Sequence, residues 1–334
     1  MNMISYPNIN IRSKNEIAKR ISSRKLPQNV ALALINYCLT NFDSLWVDNF
    51  KMSEPKKKKW VRDASRTKLG RLLGLIDKRI FLPYDSTLPN FIHGGVSNKG
   101  VKSAANSLLG DRRKRTLLKI DMSRFFEHVN LERLEYVLIH KLGFSRKPAK
   151  VICNLCCVSA GPKSKPENKK TIARGFATSN RLAIWCNLEL FYRIEWLTKK
   201  RLGKYDAKLA IYVDDISITA SRVPPKAMAD FCIELIALIN KYGNGLEVND
   251  NKTRIIDYSG NQYSENGVLI LNKNSGLPQK GSYEVLGIKM ERNRLAAGRR
   301  TAGKIQSLKT RKSLSVPQKK SLKGLKKYKY YLER

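Results

Sequence analysis

Apolar and polar positions alternate along residues 208–221, KLAIYVDDISITAS. Ile216, Ile218 and Ala220 are separated from one another by small hydroxyl residues. A period of two is that of a β-strand with one face on a core. The segment therefore predicts a β-hairpin that carries an Asp-Asp pair at its tip.

Helical periodicity is clearest over residues 226–242, where one stripe consists of Met228, Phe231, Cys232, Leu235, Ile239 and Tyr242. A long helix is predicted over 178–200 from the apolar spacing of Leu182, Trp185, Cys186, Leu188 and Leu190. Other helices are expected within 14–50 and at 101–109, 131–142 and 146–158.

Short apolar runs predict the strands. They are TLLKID, which ends on Asp121, and then LEV, TRIIDY, GVLILN and YEVLGIKM. Strands and helices are interspersed and no internal repeat is present. This pattern predicts an α+β protein with a central antiparallel sheet.

Charge narrows the choice of partner. The 334 residues are 42% hydrophobic, which indicates a globular chain, but 65 Lys and Arg face 27 Asp and Glu, a formal charge of +38. Such an excess favours a polyanion, and nucleic acid first, over a protein that is merely soluble and basic. Residues 51–79 hold 11 basic residues against three acids, and residues 301–334 hold 11 against one.

Several features indicate a cytoplasmic protein. No run of about 18 apolar residues could span a membrane, and the N-terminal MNMISYPNINIRSK lacks the apolar region of a secretory signal. The six cysteines are typical of a reducing compartment. The CNLCC cluster is interpreted as buried helix rather than a zinc site, because the chain has only three histidines and no second cysteine pair.

The aspartate pair indicates a metal site. Asp214 and Asp215 repel each other unless a cation neutralises them, and hard carboxylate oxygens suit Mg²⁺. Asp121, at the end of another apolar strand, is a candidate third carboxylate. Two Mg²⁺ ions held in this way serve phosphoryl transfer. The alternative is an ordinary turn, in which Asp is common.

These motifs resemble those of reverse transcriptases, in the same order. YVDD is similar to their Y-x-D-D motif, and DMSRFFEHV resembles their D-x-x-x-F-F strand. RGFATSNRLAIWCNLEL resembles the Q-G-x-P-[TS]-S-P segment with its helix, and LEVNDNKTRI the LxLNxxKT turn. EVLGIKM and GRRTAGKIQSLKTR resemble the V-T-G segment and the basic helix of bacterial retron enzymes. The resemblance extends from about residue 50 to 330.

The resemblance implies a right-hand polymerase fold. Residues 1–110 would form N-terminal helices and fingers, and residues 111–290 the palm, with fingers elements at about 145–180. Residues 291–334 would form a short basic thumb. In this tail Leu322, Leu325, Tyr328 and Leu332 form a helical face, and the residues expected to bind nucleic acid are Lys319, Lys320, Lys323, Lys326 and Lys327.

The resemblance also implies roles for single residues. Asp121 and Asp214 would be the main ligands of two Mg²⁺ ions, assisted by Asp215, with dNTPs as substrates. Phe126 would exclude a 2′-hydroxyl, and Lys252 would protonate the leaving pyrophosphate. For Lys252 a solvated turn is the alternative.

Arg62 is a further candidate by resemblance, since its fork-shaped donor could hold the triphosphate. A merely basic face explains it equally.

One loop departs from the family pattern. Arg174 replaces the usual Gln, and Ala177 and Asn180 replace two prolines, while Gly175 is kept in a nucleotide-binding position. Arg174 has three interpretations. It contacts the incoming triphosphate, it pairs with a nearby acid that shapes the loop, or it is an exposed part of a basic surface.

Three functions remain open on this basis. The first is an RNA-directed DNA polymerase that copies part of a dedicated structured RNA in a retron-like antiphage defence system, together with a possible effector protein. The second is a template-independent or protein-primed DNA polymerase, suggested by the altered loop. The third is an inactive relative that only binds RNA, against which the intact carboxylates argue.

Overall fold

The computed structural model describes residue 4 and residues 6–110, 115–250, 252–272, 275–281, 283–291, 294–311 and 313–334. The structure is 47% helix and 18% strand, which is compatible with the expected α+β class. The helices, α1 to α10 in order, are Lys14–Ile21, Gln28–Thr40, Lys68–Ile76, Val101–Ser107, Leu131–His140, Arg146–Cys156, Ser179–Leu202, Pro225–Tyr242, Arg299–Lys309 and Val316–Glu333.

The strands are short except in the centre of the molecule. In chain order, β1 to β13 are Val47–Asp48, Arg62–Asp63, Arg115–Ser123, Cys157–Ser159, Lys170–Ile172, Lys208–Tyr212, Asp215–Ser221, Glu247–Val248, Arg254–Ile256, Gln262–Tyr263, Glu284–Val285, Ile288–Glu291 and Arg294–Ala297.

The central sheet has the order β10-β9-β3-β7-β6, and β8 pairs with the end of β3. Every pairing in it is antiparallel. β6 and β7 form the predicted hairpin, and β3 pairs with β7 over seven positions, from Arg115 opposite Ser221 to Asp121 opposite Asp215. The sheet therefore brings two separate aspartate-bearing strands together.

Both faces of this sheet are covered. Leu118 and Ile120 of β3 belong to the main core, together with α7 and α8. Leu117, on the opposite face, packs in a second core formed with α4, the β11-β12-β13 sheet and the end of α10. Ser217 and Thr219 on β7 share that second face and are almost fully buried, although the alternating pattern predicted only one buried face.

α7 differs from its prediction in the same way. Residues 181–188 are buried on all sides and not along one stripe, as expected in the middle of a large core, whereas Trp196, Lys199 and Lys200 in the second half of the helix are exposed. Its buried Arg181 forms ion pairs with Asp77 and Asp85, which offset the cost of burying the guanidinium.

Some predicted elements break at turns. The region expected to be helical over 14–50 consists of α1, α2 and a short 3₁₀ turn before β1. The helix expected over 146–158 ends at Cys156, because the next three residues pair with β5. GVLILN forms only isolated bridges, with Val268 and Leu271 largely exposed, and is not a regular strand.

The run YEVLGIKM is interrupted by a turn, since Leu286 and Gly287 both have positive φ. It becomes β11 and β12, which form one sheet with β13. The predicted thumb boundary between residues 290 and 291 falls inside β12. Start residue 111 of the predicted palm lies outside the described residues. All six cysteines are buried and none forms a disulfide.

Candidate active site

Three aspartates converge at one end of the central sheet. Asp121 lies directly opposite Asp215 at the end of the β3–β7 ladder. Side chains at opposite positions of an antiparallel pair lie on one face, with Cβ atoms about 4.5–5.5 Å apart. Asp214 precedes Asp215 in the hairpin turn, and its carbonyl accepts a 3.0 Å hydrogen bond from the Met122 amide. The turn is thus attached to β3.

The hairpin turn is strained. Val213 has φ of 60°, whereas Asp214 has no positive φ, which is the pattern of a two-residue type II′ turn. Glycine normally occupies the first position of this turn, and a β-branched residue there costs on the order of 1–3 kcal/mol. The surrounding fold must therefore stabilise this conformation.

A neighbouring loop supports the hairpin. The Ile211 amide donates to the Phe91 carbonyl at 2.8 Å, and the His93 amide donates to the Ile211 carbonyl at 2.9 Å. Gly94 follows immediately, and a Cβ there would lie 2.6 Å from the Val213 amide nitrogen. Only glycine allows so close an approach, so this loop holds the aspartate turn against the sheet.

The carboxylates have perturbed acidities. Burial, followed by the charges of Asp214 and Asp121, raises the pKa of Asp215 to about 6. Burial is the main cause that raises the pKa of Asp214; a backbone hydrogen bond opposes it, the Asp121 charge adds to it, and Arg174 and Lys59 oppose it more weakly. A bound cation would relieve both the repulsion and the burial cost, and hard carboxylate oxygens are the ligands that Mg²⁺ prefers. The three residues fit such an ion in their chemistry.

Lys252 already binds one of these carboxylates. Its Nζ donates to Asp121 Oδ1 at 2.8 Å and to Oδ2 at 2.9 Å. The turn that carries it is attached to β3 by the Asn249 amide, which donates to the Asp121 carbonyl at 2.8 Å. Within the described part of the chain, no three Asp, Glu, His or Cys residues are arranged as a ready metal site. The predicted catalytic lysine therefore lies within the aspartate cluster, as an ion-pair partner.

Phe126 and Arg174 lie against each other. The Arg174 guanidinium carbon is 4.7 Å from the Phe126 ring centroid. Its Nε and Nη2 donate to the two oxygens of Glu127 at 2.9 and 3.0 Å. Of the three interpretations of Arg174, this geometry agrees with pairing to an acid, and the residue is not an exposed part of a basic surface. Glu127 was not predicted, although it directly follows Phe126 in DMSRFFEHV.

Gly175 has φ of 103°, and a side chain there would collide with the Arg62 carbonyl oxygen. The Arg62 amide in turn donates to the Arg174 carbonyl at 2.7 Å. The predicted nucleotide-binding loop is thus attached to β2, and its glycine is required by a close backbone approach.

Arg62 itself is not available to a triphosphate in this arrangement. Its side chain is 3% exposed and forms an ion pair with Asp48. It also donates to the carbonyls of Ser159 and Gly161, and its guanidinium lies over the Trp46 ring. Its donors connect β1, β2 and the loop after β4, so Arg62 holds these segments together, and its contact with a triphosphate stays a prediction.

The five lysines predicted to bind nucleic acid lie on α10, and all five are exposed. At 3.6 residues per turn they occupy an arc of about 120°. The apolar stripe faces the opposite side, and its Leu332 is 2% exposed against the second core. The predicted amphipathic helix is therefore present, with one strongly basic face, consisting of Lys319, Lys320, Lys323, Lys326 and Lys327.

No protein-family model matches the chain, and no curated protein matches it either. Among the helices that the structure describes, none combines the length and hydropathy that a membrane span requires.

Proposed function

We propose that the protein is a reverse transcriptase, an RNA-directed DNA polymerase that joins deoxynucleotides by two-metal phosphoryl transfer. One observation carries this proposal. Asp121 pairs with Asp215 across β3 and β7, and Asp214 occupies the adjoining strained turn. Backbone strain and carboxylate repulsion that occur together at one point of a fold indicate a functional site there.

In this mechanism Asp121 and Asp214 would hold two Mg²⁺ ions, and Asp215 would assist. The ions would supply the positive charge that activates the attacking hydroxyl and stabilises the leaving oxygen. The protein's part is to orient the ligands at the end of a sheet that is packed on both faces. Burial lowers the pKa of Lys252, but Asp121, Asp215 and Asp214 raise it by more, so Lys252 keeps a proton beside the site for the leaving pyrophosphate.

Nucleic acid is the partner that the charge supports. The formal charge is +38, and α10 presents five lysines on one face. We propose that this face contacts the phosphate backbone, because such contacts come from Lys and Arg and carry no sequence information. The resemblance to retron enzymes suggests the particular partners: a structured non-coding RNA, its complementary DNA and an effector protein, in cytoplasmic antiphage defence.

Primer extension tests the chemistry. The purified protein should extend a DNA primer on an RNA template with dNTPs and Mg²⁺, and EDTA should stop the reaction. Asp214→Asn should abolish extension while leaving RNA binding nearly unchanged. Asp230→Asn, an exposed aspartate on α8, is the matched control and should behave as wild type. Wild-type synthesis by Asp214→Asn would overturn the assignment.

Sequencing the nucleic acid that copurifies with the protein separates the alternatives. A fixed RNA with attached complementary DNA supports the proposed function. Low-complexity DNA without a matching RNA would instead indicate a template-independent or protein-primed polymerase. RNA alone, together with no primer extension, would indicate an inactive RNA-binding relative.

A further inference from the structure

We propose that Arg174 and Glu127 form a clamp that fixes the position of the Phe126 ring and thereby sets the discrimination between deoxynucleotides and ribonucleotides. Arg174 is then a positioning residue, which acts on the sugar through Phe126 and not by holding the triphosphate. The inference rests on the proposed polymerase function, in which Phe126 lies beneath the sugar of the incoming nucleotide.

The clamp is a bidentate ion pair. Arg174 donates through Nε and Nη2 to the two different oxygens of Glu127, at 2.9 and 3.0 Å. Both side chains are 18% exposed, so solvent competes only weakly for these hydrogen bonds. Parallel bonds from a planar guanidinium fix its orientation as well as its position. With two of its three nitrogens engaged, the guanidinium has a single orientation over its neighbour.

That neighbour is Phe126. The guanidinium carbon is 4.7 Å from the centroid of the Phe126 ring, within the range of a cation–π contact. Phe125 meets the same ring at 5.6 Å and 78°. Phe125 is fully buried and stacks in turn on Phe191 of α7. The Phe126 ring is therefore held between the clamp on one side and Phe125, which is packed in the core, on the other.

The clamp is also anchored at its backbone. The Arg174 carbonyl accepts the Arg62 amide at 2.7 Å, and Gly175 lies so close to Arg62 that no side chain fits there. Arg62 is itself fixed by its buried ion pair with Asp48. Arg174 thus cannot follow a displaced Phe126 ring, because both its backbone and its guanidinium are held.

Arginine is specifically suited to this position. Lysine offers a point charge that cannot form two parallel bonds to a carboxylate, and glutamine has no charge and a shorter side chain. Because Glu127 already takes two guanidinium nitrogens, positioning of Phe126 is favoured over capture of a triphosphate. The matching acid, one residue after Phe126, gives the arginine a partner within the same site.

The test is a comparison of kcat/KM for dNTP and rNTP incorporation in primer extension. Arg174→Gln and Glu127→Gln should each reduce the dNTP preference about tenfold, the lower end of what a reshaped pocket wall changes. The reduction should come from faster rNTP incorporation. Arg174→Lys should resemble Arg174→Gln, and the exchanged pair Arg174→Glu with Glu127→Arg should recover part of the preference.

Phe126→Ala should remove the dNTP preference, and adding Arg174→Gln to it should change the ratio no further. Arg24→Gln, an exposed arginine, serves as the matched control with unchanged ratio.

Two results would overturn the clamp. One is a raised KM for dNTP and rNTP alike in Arg174→Gln with an unchanged ratio, which indicates a triphosphate contact. The other is a lower melting temperature with an unchanged ratio, which indicates a purely structural ion pair. Failure of the proposed function is distinct from both, because the wild-type protein would then incorporate neither kind of nucleotide.

Discussion

The Nζ atom of Lys252 lies 2.8 and 2.9 Å from the two carboxylate oxygens of Asp121, although 131 positions separate the residues in the chain. The ammonium group therefore engages both carboxylate oxygens that the proposed mechanism assigns to metal binding. Lys252 is 51% exposed and its long side chain can swing away, whereas Asp121 is 15% exposed. If Asp121 holds a metal ion as proposed, the lysine would neutralise the carboxylate in the metal-free protein and would release it when the metal binds.

The first prediction concerns this competition. Lys252→Ala should bind Mg²⁺ more tightly than the wild type, because Asp121 loses its competing cation. The same variant should synthesise DNA more slowly, because it lacks the proposed proton donor. Isothermal titration with Mg²⁺ and single-turnover extension measure the two effects, and Lys226→Ala on α8 is the exposed control. Equal Mg²⁺ affinity in variant and wild type would show that the ion pair does not compete.

The second prediction concerns pH. The pKa of Asp215 is about 6 in the folded protein, against an ordinary value of 3.8. In metal-free protein its ionisation therefore opposes folding: the stability is fully present below pH 4 and is lost as the pH rises through 6. Asp215→Asn should raise the metal-free free energy of unfolding at pH 7.5 by on the order of 2–3 kcal/mol.

That difference between Asp215→Asn and wild type should shrink below pH 5, and Mg²⁺ should raise the melting temperature of the wild type more than that of the variant. Asp230→Asn should follow the wild type throughout. An Asp215→Asn protein less stable than wild type at pH 7.5 without metal would contradict the raised pKa.

The third prediction concerns the loop beside the hairpin. Gly94→Ala would place a Cβ 2.6 Å from the backbone nitrogen of Val213, so either the loop or the aspartate turn must move. We expect a loss of at least about 2 kcal/mol in stability, in the range of overpacked sites, and a loss of DNA synthesis. Gly74→Ala in α3 meets no atom within 4 Å and should stabilise the protein by about 0.5–1 kcal/mol.

Thermal melts and primer extension on both glycine variants measure these effects. Unchanged activity and stability in Gly94→Ala would show that the hairpin does not depend on this close approach.

The fourth prediction separates a structural Arg62 from a triphosphate-binding one. Arg62→Gln should leave Asp48 as a buried charge without its ion-pair partner and cost about 3–5 kcal/mol. Denaturant unfolding measures this loss, and the exposed Arg66→Gln should stay within about 0.5 kcal/mol of wild type. Normal stability combined with a raised KM for dNTP would restore the original interpretation of Arg62.

The elements that were predicted well depend on local patterns. The hairpin over 208–221, the helix near 226–242 and the amphipathic tail follow from a period of 2 or 3.6 residues, and each is present within a few residues. The candidate carboxylates were also recognisable, because an Asp-Asp pair beside apolar, β-branched strands is conspicuous in the sequence. Local patterning determines which residues form an element and which side chains share one face.

The partners of charged residues were decided only by the tertiary structure. Arg62 reaches Gly161 across 99 positions, and Arg174 reaches Glu127 across 47. The second buried face of β7, with Thr219, is likewise created by α4 and the C-terminal sheet packing upon it. A period of two in the sequence indicates which residues share each face of a strand. Which elements pack on each face depends on segments that are distant in the sequence. The partner of a charged residue similarly depends on which loops the packed core brings within hydrogen-bond distance.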